Sequence, residues 1–164
     1  PFFASLRPPL EALLSHPSPK VREAAAQAIG CFAAAATQDD AVDSSSKLLE
    51  KLDQHQDGAE MEGTAQGIAA TMSSVSADRR ADLLSELLRE NIGRDGRLAR
   101  LCVLAHLPKS LAGRGLLEEF VGEMLPVLGR ALSDADEGVR AMARRGFNAT
   151  VDAGKDRATG AAVA

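Results

Sequence analysis

Two cysteines and three histidines are the residues of this 164-residue chain best suited to nucleophilic or metal chemistry. Cys31 and Cys102 each sit inside an apolar run, and neither belongs to a metal-ligand or redox spacing. Buried free thiols suit a reducing compartment, although a single pair also admits a disulfide. His16 and His55 fall in predicted turns and His106 at a helix end, none of them beside cysteine or carboxylate at a metal spacing. No Walker lysine loop, His-Glu-x-x-His or Gly-x-Ser-x-Gly occurs. The sequence therefore predicts no catalytic residue, no cofactor-binding residue, no metal ligand, and a chain that is not an enzyme. Gly93-Arg94-Asp95-Gly96 has the form of a nucleic-acid backbone clamp. It joins two predicted helices with no strand nearby, so it reads as a plain turn. Asn148-Ala149-Thr150 has the form of a glycosylation site but lies inside a predicted helix.

The other chemistry-bearing group is basic. The formal charge is −4 overall, which speaks against a general polyanion binder. The distribution is uneven: residues 1–78 carry −6, residues 79–114 carry +4 and residues 115–164 carry −2. Arg79, Arg80, Arg94, Arg97, Arg100, Lys109 and Arg114 make the middle segment a basic island, with Arg144 and Arg145 one repeat further on. These nine form the candidate interaction surface, able to meet phosphate or an acidic protein. The competing reading is a solvated helix surface whose arginines pair with Asp82, Glu86, Glu90 and Asp95. Aromatic platforms for single-stranded nucleic acid are missing, since the chain has five Phe and no Tyr or Trp.

Composition says which elements must carry these groups. There are 30 Ala and 21 Leu against 9 Val and 3 Ile. Sheets lean on β-branched and aromatic residues, whereas Ala and Leu lead the helix scale. The expectation is an all-α chain with thin helix–helix contacts. Apolar spacing and breakers place four helix pairs. The first runs over about 2–14 and 20–36, with Val21, Ala24, Ala25, Ala28, Ile29 and Phe32 on the face of its second helix. Thr37-Gln38-Asp39-Asp40 reads as a connector to the second pair, about 43–54 and 60–75. The third covers about 78–92 and 97–107, and the fourth 116–132 and 137–152. The array spans 1–152, with repeats about 1–36, 43–75, 77–107 and 115–152, and 153–164 reads as a disordered tail. No apolar run reaches the ~18 residues of a membrane span, and the expectation is a soluble, cytoplasmic chain. A start at Pro1 suggests a piece of something longer.

The pairs repeat. A shift of 118 residues lays Pro8 on Pro126, Leu14 on Leu132, Val21 on Val139 and Arg22 on Arg140. A shift of 39 lays Ala26-Gln27-Ala28-Ile29 on Ala65-Gln66-Gly67-Ile68. One period of about 39 residues explains both, which is the signature of a HEAT/armadillo-like α-α superhelix of about four helix pairs. Pro8, Val21, Arg22, Pro126, Val139 and Arg140 are its structural repeat positions. The two prolines are expected to interrupt and bend the first helix of their pairs. Arg22 and Arg140 stand just inside the second helix, beside acidic or capping groups. Such arginines resemble those of HEAT arrays, where they join a ladder with acids of neighbouring repeats.

Several ordered runs are more specific. Pro17-Ser18-Pro19-Lys20-Val21-Arg22-Glu23, Gly63-Thr64-Ala65-Gln66-Gly67-Ile68, Leu107-Pro108-Lys109-Ser110-Leu111 and Met124-Leu125-Pro126-Val127-Leu128 stand in one order. Ala131-Leu132-Ser133-Asp134-Ala135-Asp136-Glu137-Gly138-Val139-Arg140 follows. In order and approximate spacing the set resembles the eukaryotic general-control translational activator (GCN-one) family over about residues 8–150. Gly96-Arg97-Leu98, and Ala141 after Arg140, depart from the family pattern. The resemblance implies an internal segment of a large ribosome-associated HEAT protein that promotes activation of a starvation-sensing initiation-factor kinase. It implies no cofactor. Its partners would be proteins: the ribosome and the kinase through the full-length protein, and neighbouring repeats of the same chain. Ribosomal RNA would be the one nucleic-acid contact, and no membrane is involved. The alternative is an adaptor in transport, phosphatase or chromosome complexes unrelated to translation. A solenoid DNA glycosylase would need aromatic residues and basic charge that this chain lacks.

Overall fold

The structure, a computed structural model, describes the backbone of residues 2–54 and 57–161 and the side chains of 5–54 and 57–155. His55, and the side chains of Phe2 and Phe3, lie outside the described residues. Within them the chain forms eight helices and no strand. These are α1 (Phe2–Leu13), α2 (Pro19–Ala35), α3 (Gln38–Leu52), α4 (Gly58–Met72), α5 (Ala77–Leu87), α6 (Arg94–Ala112), α7 (Leu117–Ala131) and α8 (Glu137–Ala161). The all-α repeat architecture is as the composition and period predict.

Side-chain caps decide where several helices start. Thr37 Oγ1 accepts from the Asp40 amide at 3.2 Å, Asp57 Oδ1 from Glu60 at 2.8 Å and Ser76 Oγ from Arg79 at 3.4 Å. Each satisfies an amide that a helix start leaves open. The run 37–40 is therefore a cap and a first turn, not a connector, with Asp39 and Asp40 at the positive end of α3. Gly93 is likewise the cap residue of α6, so the Gly-x-x-Gly run begins a helix.

Proline ends fewer helices than its reputation suggests. Pro8 and Pro126 lie inside α1 and α7, which continue as single helices. Both prolines are exposed, so water can serve the carbonyl each one frees. Pro108 sits inside α6, which runs to Ala112 rather than ending at Leu107. At the other end α8 stays helical through Ala161 in place of the expected tail. Ala153, Ala158 and Ala161 favour helix, Lys155 Nζ lies 3.6 Å from Asp152 Oδ1, and each of the two glycines, Gly154 and Gly160, costs only about 1 kcal/mol.

The even-numbered helices stack directly on one another as one layer, and each odd-numbered helix packs on the even one that follows it. Between the layers lie fully buried Leu14, Ile29, Leu48, Ile68, Leu104 and Met124. Contacts within the even layer are close because the side chains are small. A Cβ on Gly30 would stand 3.0 Å from Ala70 Cβ, and, outside that layer, one on Gly63 would stand 1.8 Å from the carbonyl oxygen of Leu14 in the turn after α1. The buried stripe of α2 is Arg22, Ala25, Ala26, Ile29, Gly30 and Ala33. It is rotated from the expected face, and Ala24 is exposed. Apolar spacing alone cannot rank the faces of a helix that carries alanine almost all round.

Candidate functional site

Arg22 and Arg140 are repeat equivalents in geometry as well as sequence. Arg22 Nη1 donates to the carbonyls of His16 (2.8 Å) and Pro17 (2.9 Å). Arg140 Nη1 donates to those of Asp134 (2.7 Å) and Ala135 (2.8 Å). Both arginines reach back into the turn before their own helix. The expected ladder to acids of neighbouring repeats is not what they make, because two converging carbonyls of the turn before its own helix hold each guanidinium. The turns match further. His16 Nδ1 accepts from the Ser18 amide at 3.0 Å, and Asp134 Oδ1 accepts from the Asp136 amide at 2.9 Å.

The basic island is brought together only in part, and mostly against acids. Arg100 is buried and is corrected as a surface residue. Its Nη1 lies 2.7 Å from Asp53 Oδ1, and its Nε donates to the Glu86 carbonyl at 3.1 Å. It thereby ties α6 to the ends of α3 and α5. Arg94 pairs with Asp136 (2.7 Å) and Asp95 (2.8 Å), and Arg97 with Asp134 (3.3 Å). Arg80 donates to the Val75 carbonyl (2.7 Å) and faces Glu119 (3.7 Å). Arg79 donates to Ser46 (2.7 Å) and reaches Asp82 at 4.0 Å. Lys109 meets Glu23 at 2.8 Å. The Arg94 guanidinium and the Val139 and Gly138 amides hold the Asp136 carboxyl below its ordinary value. Of the four acids expected as partners, Asp82 and Asp95 serve the island; Glu86 pairs with Arg89 and Glu90 with Arg130. Arg114 and Arg144 are exposed, with no ion pair among the described residues.

Two of these pairs reach unusually far. Lys109 on α6 meets Glu23 on α2 across α4, and Arg145 on α8 binds both oxygens of Glu62 on α4 across α6. Packed helices lie about 8–10 Å apart, so second neighbours on a flat layer would be about 16–20 Å apart. Each Cα stands about 2.3 Å off its helix axis, so long side chains that lean toward one another bridge this gap over the face of the even-numbered layer. On it lies a groove of about 500 Å³ bounded by Glu23, Gln27, Gln66, Ala70, His106 and Lys109.

At one end of that groove is a cluster the sequence did not reveal. Cys102 Sγ donates to Glu62 Oε2 at 3.0 Å, and His106 Nε2 lies 2.9 Å from Glu62 Oε1. Arg145 Nη1 donates to Glu62 Oε2 at 3.0 Å, and its Nη2 lies 3.0 Å from His106 Nε2. Burial alone would raise the Glu62 carboxyl, but hydrogen bonds from His106, Arg145 and Cys102 outweigh it and hold the group well below the ordinary carboxylate range. Burial, reinforced by the Glu62 charge, pushes the Cys102 thiol well above its ordinary value. That thiol is protonated and no nucleophile.

The expectation that no histidine meets cysteine and carboxylate is thus corrected, as is that of two buried thiols, because Cys31 is exposed. Cys102 and His106 are one helical turn apart, and Glu62 lies forty residues before Cys102, close to one repeat. Combining the helical spacing with the period is the signal that finds them. In the glycosylation-like run the Thr150 hydroxyl is buried and donates to the Gly146 carbonyl at 2.9 Å. No helix among the described residues is long and apolar enough to cross a membrane.

Comparison with known proteins agrees with this architecture. Residues 6–36 match the family model described as HEAT repeat. Over 149 residues, 88% of this chain, it is 28% identical to the stalled ribosome sensor GCN1 of Mus musculus, and equally to that of Homo sapiens. It is 28% identical over 145 residues, 85% of the chain, to the protein ILITYHIA of Arabidopsis thaliana. The chain spans only 6% of the length of the two GCN1 proteins and 5% of ILITYHIA. No solved structure matches it. The chain is thus an all-α helical repeat array that matches a HEAT repeat over residues 6–36 and is similar to GCN1 along most of its length.

Proposed function

We propose that the chain is a non-catalytic scaffold in ribosome-linked translational control, holding a curved surface at fixed geometry within an array that promotes activation of an initiation-factor kinase. The observation that carries this reading is similarity to a stalled ribosome sensor over 88% of the chain. The structure supports the scaffold part of it. The charges of the third helix pair are engaged mainly with neighbouring elements, and the cysteine and histidine that meet are locked to a carboxylate rather than poised for reaction. Arg114 and Arg144 are the island residues that remain available to a partner such as ribosomal RNA or an acidic protein. A cytoplasmic location belongs to the same proposal.

Cosedimentation with purified ribosomes over a salt series tests it. The 164-residue chain is expected to pellet at low salt and to be released as salt rises. Reversing Arg114 and Arg144 to Glu should shift release to lower salt while leaving the circular dichroism spectrum unchanged. Failure to pellet at any salt concentration rejects direct ribosome contact by these repeats.

A further inference from the structure

We propose that Glu62, Cys102 and His106 form a binding site for a borderline-soft divalent cation, best matched by zinc, on the face of the even-numbered layer between α4 and α6. The three offer a carboxylate oxygen, a sulfur and an imidazole nitrogen, and these atoms all lie within 4.8 Å of one another. That donor mixture selects zinc over the hard cations magnesium and calcium, which take oxygen ligands. Cys102 and His106 are a turn apart on one helix, and Glu62 faces them from the next, so rigid elements supply all three. Glu62 and His106 are each 18% exposed, which leaves an entry from the groove. Three protein ligands leave a fourth tetrahedral position open toward solvent.

The metal-free arrangement contains a conflict that an ion resolves. His106 Nε2 faces a carboxylate oxygen of Glu62 and a guanidinium nitrogen of Arg145 together. A proton on Nε2 suits Glu62 and opposes Arg145; a bare lone pair suits Arg145 and opposes Glu62. A cation at that position uses the lone pair and keeps the carboxylate close. Binding forms Sγ–metal, Nε2–metal and carboxylate–metal bonds. The thiol proton leaves to solvent, the imidazole proton resides on Nδ1, and Arg145 gives up at least one hydrogen bond to Glu62. Thiolate and carboxylate together then balance the two positive charges of the ion. Arg145, 44% exposed, has room to swing outward and acts as the competitor for the site.

The chain stripped by chelator and titrated with Zn²⁺ by calorimetry, and with Co²⁺ by absorption, tests the site. One ion per chain is expected, and the Co²⁺ form should show a thiolate-to-metal charge-transfer band in the near ultraviolet. Cys102→Ser should abolish that band and Cys31→Ser should leave it intact. Glu62→Gln and His106→Gln should each weaken Zn²⁺ binding by at least about tenfold, with folding checked by circular dichroism. Arg145→Gln should tighten binding, which a purely structural ion-pair network does not predict. Absence of the band, its survival in Cys102→Ser, or weaker binding in Arg145→Gln would overturn the proposal, and the first and last do not depend on how well a ligand variant folds.

Discussion

At the scale of single residues, the repeat is written in one arginine and one turn acceptor. Arg22 and Arg140 each gather two carbonyls of the preceding turn, and His16 and Asp134 each accept the amide two residues on. Removing a charged donor from carbonyls in a partly buried turn costs about 1–3 kcal/mol. Arg22→Ala and Arg140→Ala should each lower the urea unfolding free energy by about that amount. His16→Asp should keep the stability near wild type because the fourth pair already uses aspartate there, whereas His16→Ala should lose about 1 kcal/mol. Equal stability of His16→Ala and His16→Asp would show that the ring nitrogen is not an acceptor. The repeated Val-Arg was plain in the sequence, but its partners were not. Backbone carbonyls have no residue type, so an arginine that binds them looks the same as one awaiting an acid.

Among helices, closeness is what small residues provide. The run Gly63-Thr64-Ala65-Gln66-Gly67-Ile68 places two glycines where α4 meets the turn after α1 and, at Gly67, also α3. A Cβ on Gly63 would stand 1.8 Å from the Leu14 carbonyl oxygen, and one on Gly67 would meet Leu14 and Leu48 methyls at 3.2 and 3.3 Å. Backbone cannot yield as a methyl can. Gly63→Ala should destabilise by about 2–4 kcal/mol, despite alanine's better helix propensity, while Gly67→Ala should cost less than about 1.5 kcal/mol. A calorimetric melt in which Gly63→Ala raises the midpoint would refute this packing. Helix number, type and approximate limits followed from periodicity and breakers. The start of α3, the start of α6 and the length of α8 do not follow from the apolar pattern, because the Thr37 side chain caps the first, Gly93 begins the second without a side-chain cap, and helix-favouring alanine extends the third.

Across the whole molecule, charge holds the repeats in register. The basic third pair meets acids of the first, second and fourth through Lys109–Glu23, Arg100–Asp53, Arg94–Asp136 and Arg97–Asp134. The uneven charge was legible in the sequence, and its use was not, since only the superhelix shows which segments face each other. Arg100 is the most decisive member. It is 4% exposed and binds both Asp53 and the Glu86 carbonyl. Losing a buried pair costs about 3–5 kcal/mol, reduced here to about 2 kcal/mol because Asp53 stays half exposed. The direct test is Arg100→Gln, followed by urea unfolding and by retention on a heparin column. A fall in stability of about 2 kcal/mol with unchanged retention is the predicted result. Unchanged stability with weaker retention would contradict it, and would return the basic island to the surface as an anion-binding site.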